Sequence, residues 1–76
     1  MNVQLILHGI LRDSLPRKAK GKTTLDLAPG TTVEDVVRQL EIKQNVSAAV
    51  AGAEVDNSYV LQDGDELHLF RFIAGG

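Results

Sequence analysis

Hydrophobic and polar residues alternate at the start of the chain, as they do in a half-buried β-strand. Val3, Leu5 and Leu7 share one face of this segment. The alternation returns at Leu25 and Leu27, after which a Pro-Gly pair signals a turn. The sequence therefore predicts two strands in its N-terminal part, each with one apolar face.

After that turn the apolar period becomes that of a helix. Thr32 is suited to the N-cap, and Asp35, three residues on, completes a capping-box pattern; Thr31 and Glu34 offer the same arrangement one step earlier. Apolar residues then recur at i, i+3, i+4 and i+7, at Val33, Val36, Val37 and Leu40. These features predict one short amphipathic helix.

Three further strands are predicted in the second half of the chain. A strand of small and β-branched residues covers 46–52, a brief edge strand followed by a turn lies in 54–61, and the last strand covers 66–72 after an Asp-Gly turn signal. The residues expected to cover the core after the edge strand are Tyr59, Val60 and Leu61.

The connection between the first two strands has two parts. Residues 10–16 carry apolar side chains and are predicted to form a turn or a helical turn packed on the core. The following "RKAKGK" is basic. We interpret it as a solvated loop, with a landing patch for an acidic partner as the alternative.

Together these elements predict an α+β roll, a mixed sheet of four to five strands packed on one main helix. The helix crossover allows strands that are not neighbours in sequence to pair. A length of 76 residues corresponds to one domain, 1–76, with a flexible C-terminal diglycine tail at about 73–76.

The last predicted strand departs from the pattern of one apolar and one polar face. If Leu67 and Leu69 face the helix, then Phe70 and Phe72 face outward beside His68. Exposed apolar patches usually mark interaction sites. We therefore interpret this face as a docking surface, with a covering loop as the alternative.

The composition argues against several functional classes. The chain has no cysteine, hence neither a disulfide framework nor a thiolate nucleophile. A formal net charge of −2 argues against a nucleic-acid binder. The first residues lack the features of a secretory signal, and no apolar window is long enough to span a membrane. The expectation is a cytoplasmic protein without membrane or nucleic-acid partners.

The sequence shows no arrangement of catalytic or metal-binding residues. His8 and His68 are the only histidines and have no ligand-like spacing. The acidic "DGDE" segment lacks the length and spacing of a calcium loop. We therefore expect neither a metal site nor an enzyme.

Gly75 and Gly76 follow directly on an apolar, strand-like segment. Because glycine has no Cβ, such a backbone can enter a narrow channel. A free α-carboxylate is ionised at neutral pH and is a poor electrophile. It becomes reactive if another enzyme uses ATP to form an acyl-adenylate, which a sulfur or amine nucleophile can then displace. The protein would then be a substrate whose C-terminus is the working group.

These motifs resemble the ubiquitin-like β-grasp family and, within it, the ThiS/MoaD sulfur carriers. "DGDELHLF" followed by "IAGG" is similar to the end of thiamine-type carriers, and "LHL" also resembles ubiquitin. "GILRDSLP" and "PGTTVEDVVRQL" are more similar to molybdopterin-type carriers. The chain departs from the family at Val50-Ala51-Gly52, where many carriers have Val-Asn-Gly, and at Arg71-Phe72, where molybdopterin-type carriers often have two prolines. The pathway therefore remains open between thiamine and molybdopterin.

The resemblance implies a β-grasp fold and a role as a sulfur carrier. Gly76, with Gly75 as its slim neighbour, would be adenylated by a ubiquitin-activating-type enzyme that uses ATP, and the protein would bind no cofactor itself. The resulting thiocarboxylate, with sulfur from a donor such as a desulfurase, would serve a synthase of thiamine thiazole or molybdopterin. The residues assigned to partner docking are Phe70, Phe72, His68 and Ile73.

Two other functions are compatible with the same sequence. One is a ubiquitin-like modifier, joined through Gly76 to lysines of other proteins. The other is a non-covalent β-grasp binding module whose terminal glycines do no chemistry.

Overall fold

A mixed five-stranded sheet with one α-helix against one face forms the body of the protein. The computed structural model describes residues 1–15, 17–43 and 45–71. The strands and the helix, in chain order, are β1 (Asn2–Leu7), β2 (Lys22–Asp26), α1 (Val33–Gln39), β3 (Val46–Val50), β4 (Ala53–Val55) and β5 (Glu66–Arg71). Two 3₁₀ helices, Gly9–Ser14 and Arg17–Ala19, lie between β1 and β2.

The strands follow the order β2-β1-β5-β3-β4 across the sheet. β1 and β5 pair in parallel at the centre, whereas the other neighbours are antiparallel. A parallel pair needs a crossover connection, which the chain between β1 and β5 supplies through α1. In this register Leu5 lies opposite Leu67, and Ile6 lies opposite His68. The predicted α+β architecture, with one mixed sheet and one helix, is confirmed.

The core lies between α1 and one face of the sheet. Alternate residues of β1 and β5 point into it, and α1 adds two valines. The buried residues supplied by these three elements are Val3, Leu5, Leu7, Val33, Val36, Leu67 and Leu69. Each such side chain contributes roughly 1.5–3 kcal/mol on burial. The remaining positions of β1 and β5 point to the opposite, outer face of the sheet.

A capping box begins α1, and it forms at the later of the two predicted positions. The backbone N–H of Asp35 donates to Thr32 Oγ1 at 3.2 Å, and the backbone N–H of Thr32 donates to Asp35 Oδ2 at 3.0 Å. These hydrogen bonds from Thr32 hold the pKa of Asp35 below its ordinary value. The Thr31 hydroxyl donates instead to the Ala28 carbonyl at 2.7 Å.

Among the described residues, no helix is long and apolar enough to cross a membrane.

The first 3₁₀ helix occupies most of the segment predicted to form a helical turn. Leu11 is buried beneath it, while Ile10 remains 52% exposed. The prediction that this segment packs on the core is therefore confirmed through Leu11.

The prediction that Val60 covers the core is wrong. Its side chain is 50% exposed, whereas its neighbour Leu61 is buried and Tyr59 is half-buried. Val60 forms an isolated antiparallel bridge with Thr32, so this backbone is extended. Successive side chains of extended backbone point to opposite sides, so Leu61 faces inward and Val60 faces outward.

Candidate functional site

The outer face of β5 carries an exposed aromatic side chain. Leu67 and Leu69 are buried, and the alternation of the strand turns Glu66, His68 and Phe70 outward. Phe70 is 40% exposed, so its predicted outward orientation is confirmed. This leaves an apolar ring accessible on the open side of the sheet.

Two histidines from the central strands meet beside this ring. His8 directly follows β1, and its backbone N–H donates to the Leu69 carbonyl at 3.1 Å, which extends the parallel pairing by one residue. His8 Nε2 lies 2.9 Å from His68 Nδ1. The other ring nitrogen of His68, Nε2, lies 2.6 Å from Glu66 Oε1. Glu66, His68 and His8 thus form one hydrogen-bonded chain across the outer face.

The chemistry of these three groups restricts where the protons lie. A carboxylate only accepts, so His68 Nε2 carries a proton and donates it to Glu66. With both rings neutral, His8 Nε2 donates to His68 Nδ1. One added proton leaves this hydrogen bond possible, because only one of the two facing nitrogens then needs to carry a hydrogen. A second added proton would set two N–H groups against each other, so the hydrogen bond between the rings tolerates only one.

The surroundings of His8 favour its neutral form. Burial lowers the pKa of His8 below its ordinary value of 6.5, and the nearby His68, Arg12 and Lys22 lower it further. Near neutral pH, His8 is therefore an uncharged ring at one end of this hydrogen-bonded chain.

Phe70 stacks on the His8 ring. The two ring centroids are 4.4 Å apart and the planes differ by 8°. His68 lies farther from Phe70, at 6.3 Å between centroids, and 28% of its side chain is exposed. Because His68 contacts His8 through a hydrogen bond and Phe70 packs on His8, the three rings form one continuous aromatic surface.

The geometry of the two histidines is that of a hydrogen bond rather than a metal chelate. Their ring centroids are 5.1 Å apart with the two nitrogens 2.9 Å apart, so each nitrogen points at the other ring. In a tetrahedral zinc site, both lone pairs would converge on a point beside that line. Within residues 1–15, 17–43 and 45–71, no group of three or more histidine, aspartate or glutamate residues is arranged to hold a metal ion.

Sequence reasoning did not identify His8 as part of this surface. The phase of β1 already turned His8 outward, since Val3, Leu5 and Leu7 face the core. What the pattern lacked was the pairing of β1 with β5. Only that pairing brings together two histidines that are 60 positions apart in the sequence.

Phe72, Ile73, Gly75 and Gly76 lie outside the described residues, as does the predicted tail at about 73–76. Their roles, and the docking roles of Phe70 and His68, stay predictions.

Solved structures similar to this chain include three from different organisms. A protein assigned as molybdopterin converting factor subunit 1, from Pyrococcus furiosus, is 19% identical, with a TM-score of 0.75 over 96% of this chain and 99% of that one. SAMP1, a small archaeal modifier protein from Haloferax volcanii, is 18% identical, with a TM-score of 0.70 over 100% of both chains. In a complex of subunits 1 and 2 of molybdopterin-converting factor from Helicobacter pylori, the matching chain is 17% identical, with a TM-score of 0.63 over 100% of both chains.

At these identities the likeness establishes the fold, and it confirms the ubiquitin-like β-grasp that the sequence resemblance implied. No curated relative matches the sequence. The model of the ThiS family matches residues 14–76, which is most of the chain and includes both terminal glycines. The chain therefore belongs to the ThiS family.

Proposed function

We propose that this protein is a sulfur carrier whose working group is the carboxylate of Gly76. The observation that carries the proposal is the family match, which continues through Gly76. The likeness in fold to molybdopterin-converting factor subunits supports it. In this role the protein is a co-substrate, and the catalytic residues and the ATP belong to its partner enzymes.

The chemistry takes place in two steps at the terminal carboxyl carbon. In the first, a carboxylate oxygen attacks the α-phosphorus of ATP, pyrophosphate leaves, and an acyl-adenylate forms. In the second, a sulfur nucleophile attacks the carbonyl carbon and AMP leaves, so a C–S bond replaces the C–O bond to AMP. When the nucleophile is a persulfide, a thiol cleaves the resulting acyl disulfide and is itself oxidised, which releases the thiocarboxylate.

The aromatic surface formed by His8, His68 and Phe70 is well positioned for a partner that handles the tail. Gly76 is six residues beyond Phe70 in the sequence. An extended chain spans about 3.5 Å per residue, so the two are at most about 21 Å apart. An enzyme that binds Phe70 can therefore also hold Gly76 in its active site.

The proposed acceptor of the sulfur is a synthase that makes thiamine thiazole or molybdopterin. To distinguish these two pathways, the thiocarboxylate form of the protein is supplied to each synthase together with that synthase's own substrate. The synthase that consumes the thiocarboxylate identifies the pathway.

A second candidate function is that of a protein modifier. The likeness in fold to SAMP1 over the full length of both chains favours it. Both functions begin with the same acyl-adenylate. They diverge in the nucleophile, which is a lysine amine for the modifier and sulfur for the carrier.

Adenylation is tested by ATP–pyrophosphate exchange with the ubiquitin-activating-type enzyme of the same organism. Exchange should depend on this protein and should vanish when Gly75 and Gly76 are deleted. Exchange that persists after this deletion, or no exchange with the wild-type protein, would contradict the proposal. The latter result, together with partner binding that survives the deletion, would identify a non-covalent binding module.

A further inference from the structure

Three cationic side chains surround a depression next to His8. This basic depression is lined by Arg12 from the first 3₁₀ helix, Lys20 from the following turn and Lys22 from β2, with His8 and Ile6 on its sheet side. Its volume is about 380 Å³. Among the described residues that line it, none is acidic. Lys20 and Lys22 belong to the basic segment "RKAKGK", and the fold brings Arg12 beside them.

The backbone at Gly21 places these cations. Lys20 and Gly21 have φ values of 54° and 78°, which form a tight turn at the start of β2. The N–H of Leu7 donates to the Gly21 carbonyl at 2.7 Å. A Cβ at Gly21 would lie 2.8 Å from both Arg12 Cγ and the Leu7 carbonyl oxygen. The aliphatic stem of Arg12 therefore packs directly on Gly21, between Lys20 and Lys22 in the sequence, and all three cations line the depression.

The positive charge of the depression is not neutralised within the described part of the chain. Arg12, Lys20 and Lys22 are exposed, and none of them forms a salt bridge with another described residue. Arg38, by contrast, pairs with Glu34 at 3.2 Å and Asp35 at 3.9 Å. The protein as a whole has a net charge of −2, so this positive region is local.

We infer that the basic depression receives acidic side chains of the adenylating enzyme. The inference rests on the proposed function and specifies the chemistry of its first partner. Ile6, His8 and Lys22 also line a second depression, on whose far side lie Glu66 and His68. An acidic segment is therefore attracted to the Arg12 side of His8 and repelled by Glu66 on the other side. A partner that contacts Phe70 and His8 thus docks in one orientation.

The open shape of the depression favours a protein surface over a small anion. Its three cations are exposed and lie on separate elements, so they suit several carboxylates on a complementary surface. The occupant that fits is a segment with acidic residues next to an apolar one, the apolar residue resting on Phe70.

The test is the kinetics of adenylation for a charge-reversed pair, Lys20→Glu with Lys22→Glu. The KM for this protein should rise roughly tenfold while kcat changes less than about twofold, because exposed charges at an interface act mainly on the encounter. The KM of the variant should also depend less on salt concentration than the KM of the wild type does. Arg12 is left unchanged because its stem packs on Gly21.

The matched control is Lys43→Glu, at an exposed lysine that lines a different depression beside α1. It should leave KM within about twofold of the wild-type value. A milder pair, Lys20→Gln with Lys22→Gln, removes charge without reversing it and should raise KM by a smaller factor. It keeps the test valid if the reversed pair fails to fold, as judged by circular dichroism.

The outcomes separate the inference from the proposed function. If KM is unchanged in both double variants, or if Lys43→Glu raises KM as much as the charge-reversed pair does, the inference is overturned. Either result would leave the proposed sulfur-carrier function intact. No adenylation of the wild-type protein would overturn both. A titration of the ¹⁵N-labelled protein with inorganic phosphate supplies a further check. Chemical-shift changes at the Lys20 and Lys22 amides that saturate at submillimolar phosphate would identify a small-anion site and overturn the inference.

Discussion

At the scale of single residues, the outer face of the sheet is organised around His8. The ring of Phe70 stacks on the ring of His8, and His8 Nε2 forms a hydrogen bond with His68 Nδ1. It remains neutral near pH 7 because burial and the neighbouring positive charges disfavour the imidazolium. One uncharged histidine therefore joins the apolar and the basic parts of the surface.

The lowered pKa of His8 makes stability depend on pH in a defined window. The unfolded chain takes up a proton near pH 6.5, before the folded protein does, so the unfolded state binds more protons as the pH falls. The free energy of unfolding should therefore decrease from about pH 7 downward through the lowered pKa, by at most about 1.4 kcal/mol per pH unit for one proton.

The measurement is urea unfolding between pH 5 and 8 for the wild type and for His8→Gln. The variant should lose part of the decrease, since glutamine does not titrate. The pKa values of Asp35 and Asp56 are lowered from an ordinary value of 3.8, so these two groups affect the free energy of unfolding only below this pH range. Equal pH dependence in the two proteins would contradict the environment described for His8.

Phe70 and Leu69 are neighbours in β5 with opposite surroundings, and they offer a matched pair of substitutions. Phe70→Ala should cost about 1 kcal/mol of stability, mainly from the lost stacking on His8. It should nevertheless raise the KM for adenylation severalfold, as expected of an exposed aromatic contact. Leu69→Ala removes a fully buried side chain and should cost about 2–5 kcal/mol. A large loss of stability in Phe70→Ala would show that Phe70 belongs to the core.

At the scale of elements, the strands and the helix follow closely from local pattern. The alternation in β1 and β5 and the capping box of α1 depend on neighbouring residues, so the sequence predicts them well. The exposed position of Val60 was not predicted, because its bridge to Thr32 depends on distant backbone. The meeting of His8 with His68 was missed for the same reason. Long-range pairing decides which side chains share a surface, and the pattern of one strand does not contain it.

The capping box provides a prediction for α1. Thr32→Ala should lower the free energy of unfolding by about 1 kcal/mol, because it removes the acceptor for the Asp35 N–H. Thr31→Ala is the matched control, since its hydroxyl donates to Ala28 outside the cap, and it should cost less. Urea unfolding measures both. A larger effect at Thr31 would indicate that the cap forms one residue earlier.

At the scale of the whole molecule, the core and the surfaces proposed for docking lie on opposite sides of the sheet. The core lies on the side of α1, whereas Phe70, the histidines and the basic depression are on or beside the outer face. In the described part of the chain, the last buried residue is Leu69. Phe70 and Arg71, the next two residues, are exposed, so changes at these two positions should have little effect on folding.

Gly76→Ala tests whether the proposed role of the terminal carboxylate can be lost without a loss of stability. Its thermal unfolding should match that of the wild type, whereas its adenylation should fall by roughly a hundredfold, because a methyl group displaces the carboxylate in a narrow channel. Melting curves and ATP–pyrophosphate exchange are the two measurements. Adenylation at the wild-type rate would show that the channel tolerates a side chain.

The central claim, that the Gly76 carboxylate carries sulfur, is tested most directly by intact mass. The protein is recovered from its native host and its mass is measured before and after treatment with a thiol-reactive alkylator. The chain contains no cysteine, so an alkylated species reports sulfur at another position. The account predicts a species heavier by the exchange of one oxygen for sulfur, which takes up one alkyl group. An unmodified mass, even with the activating enzyme, ATP and a sulfur donor supplied, would contradict it, and isopeptide-linked conjugates in its place would identify a protein modifier.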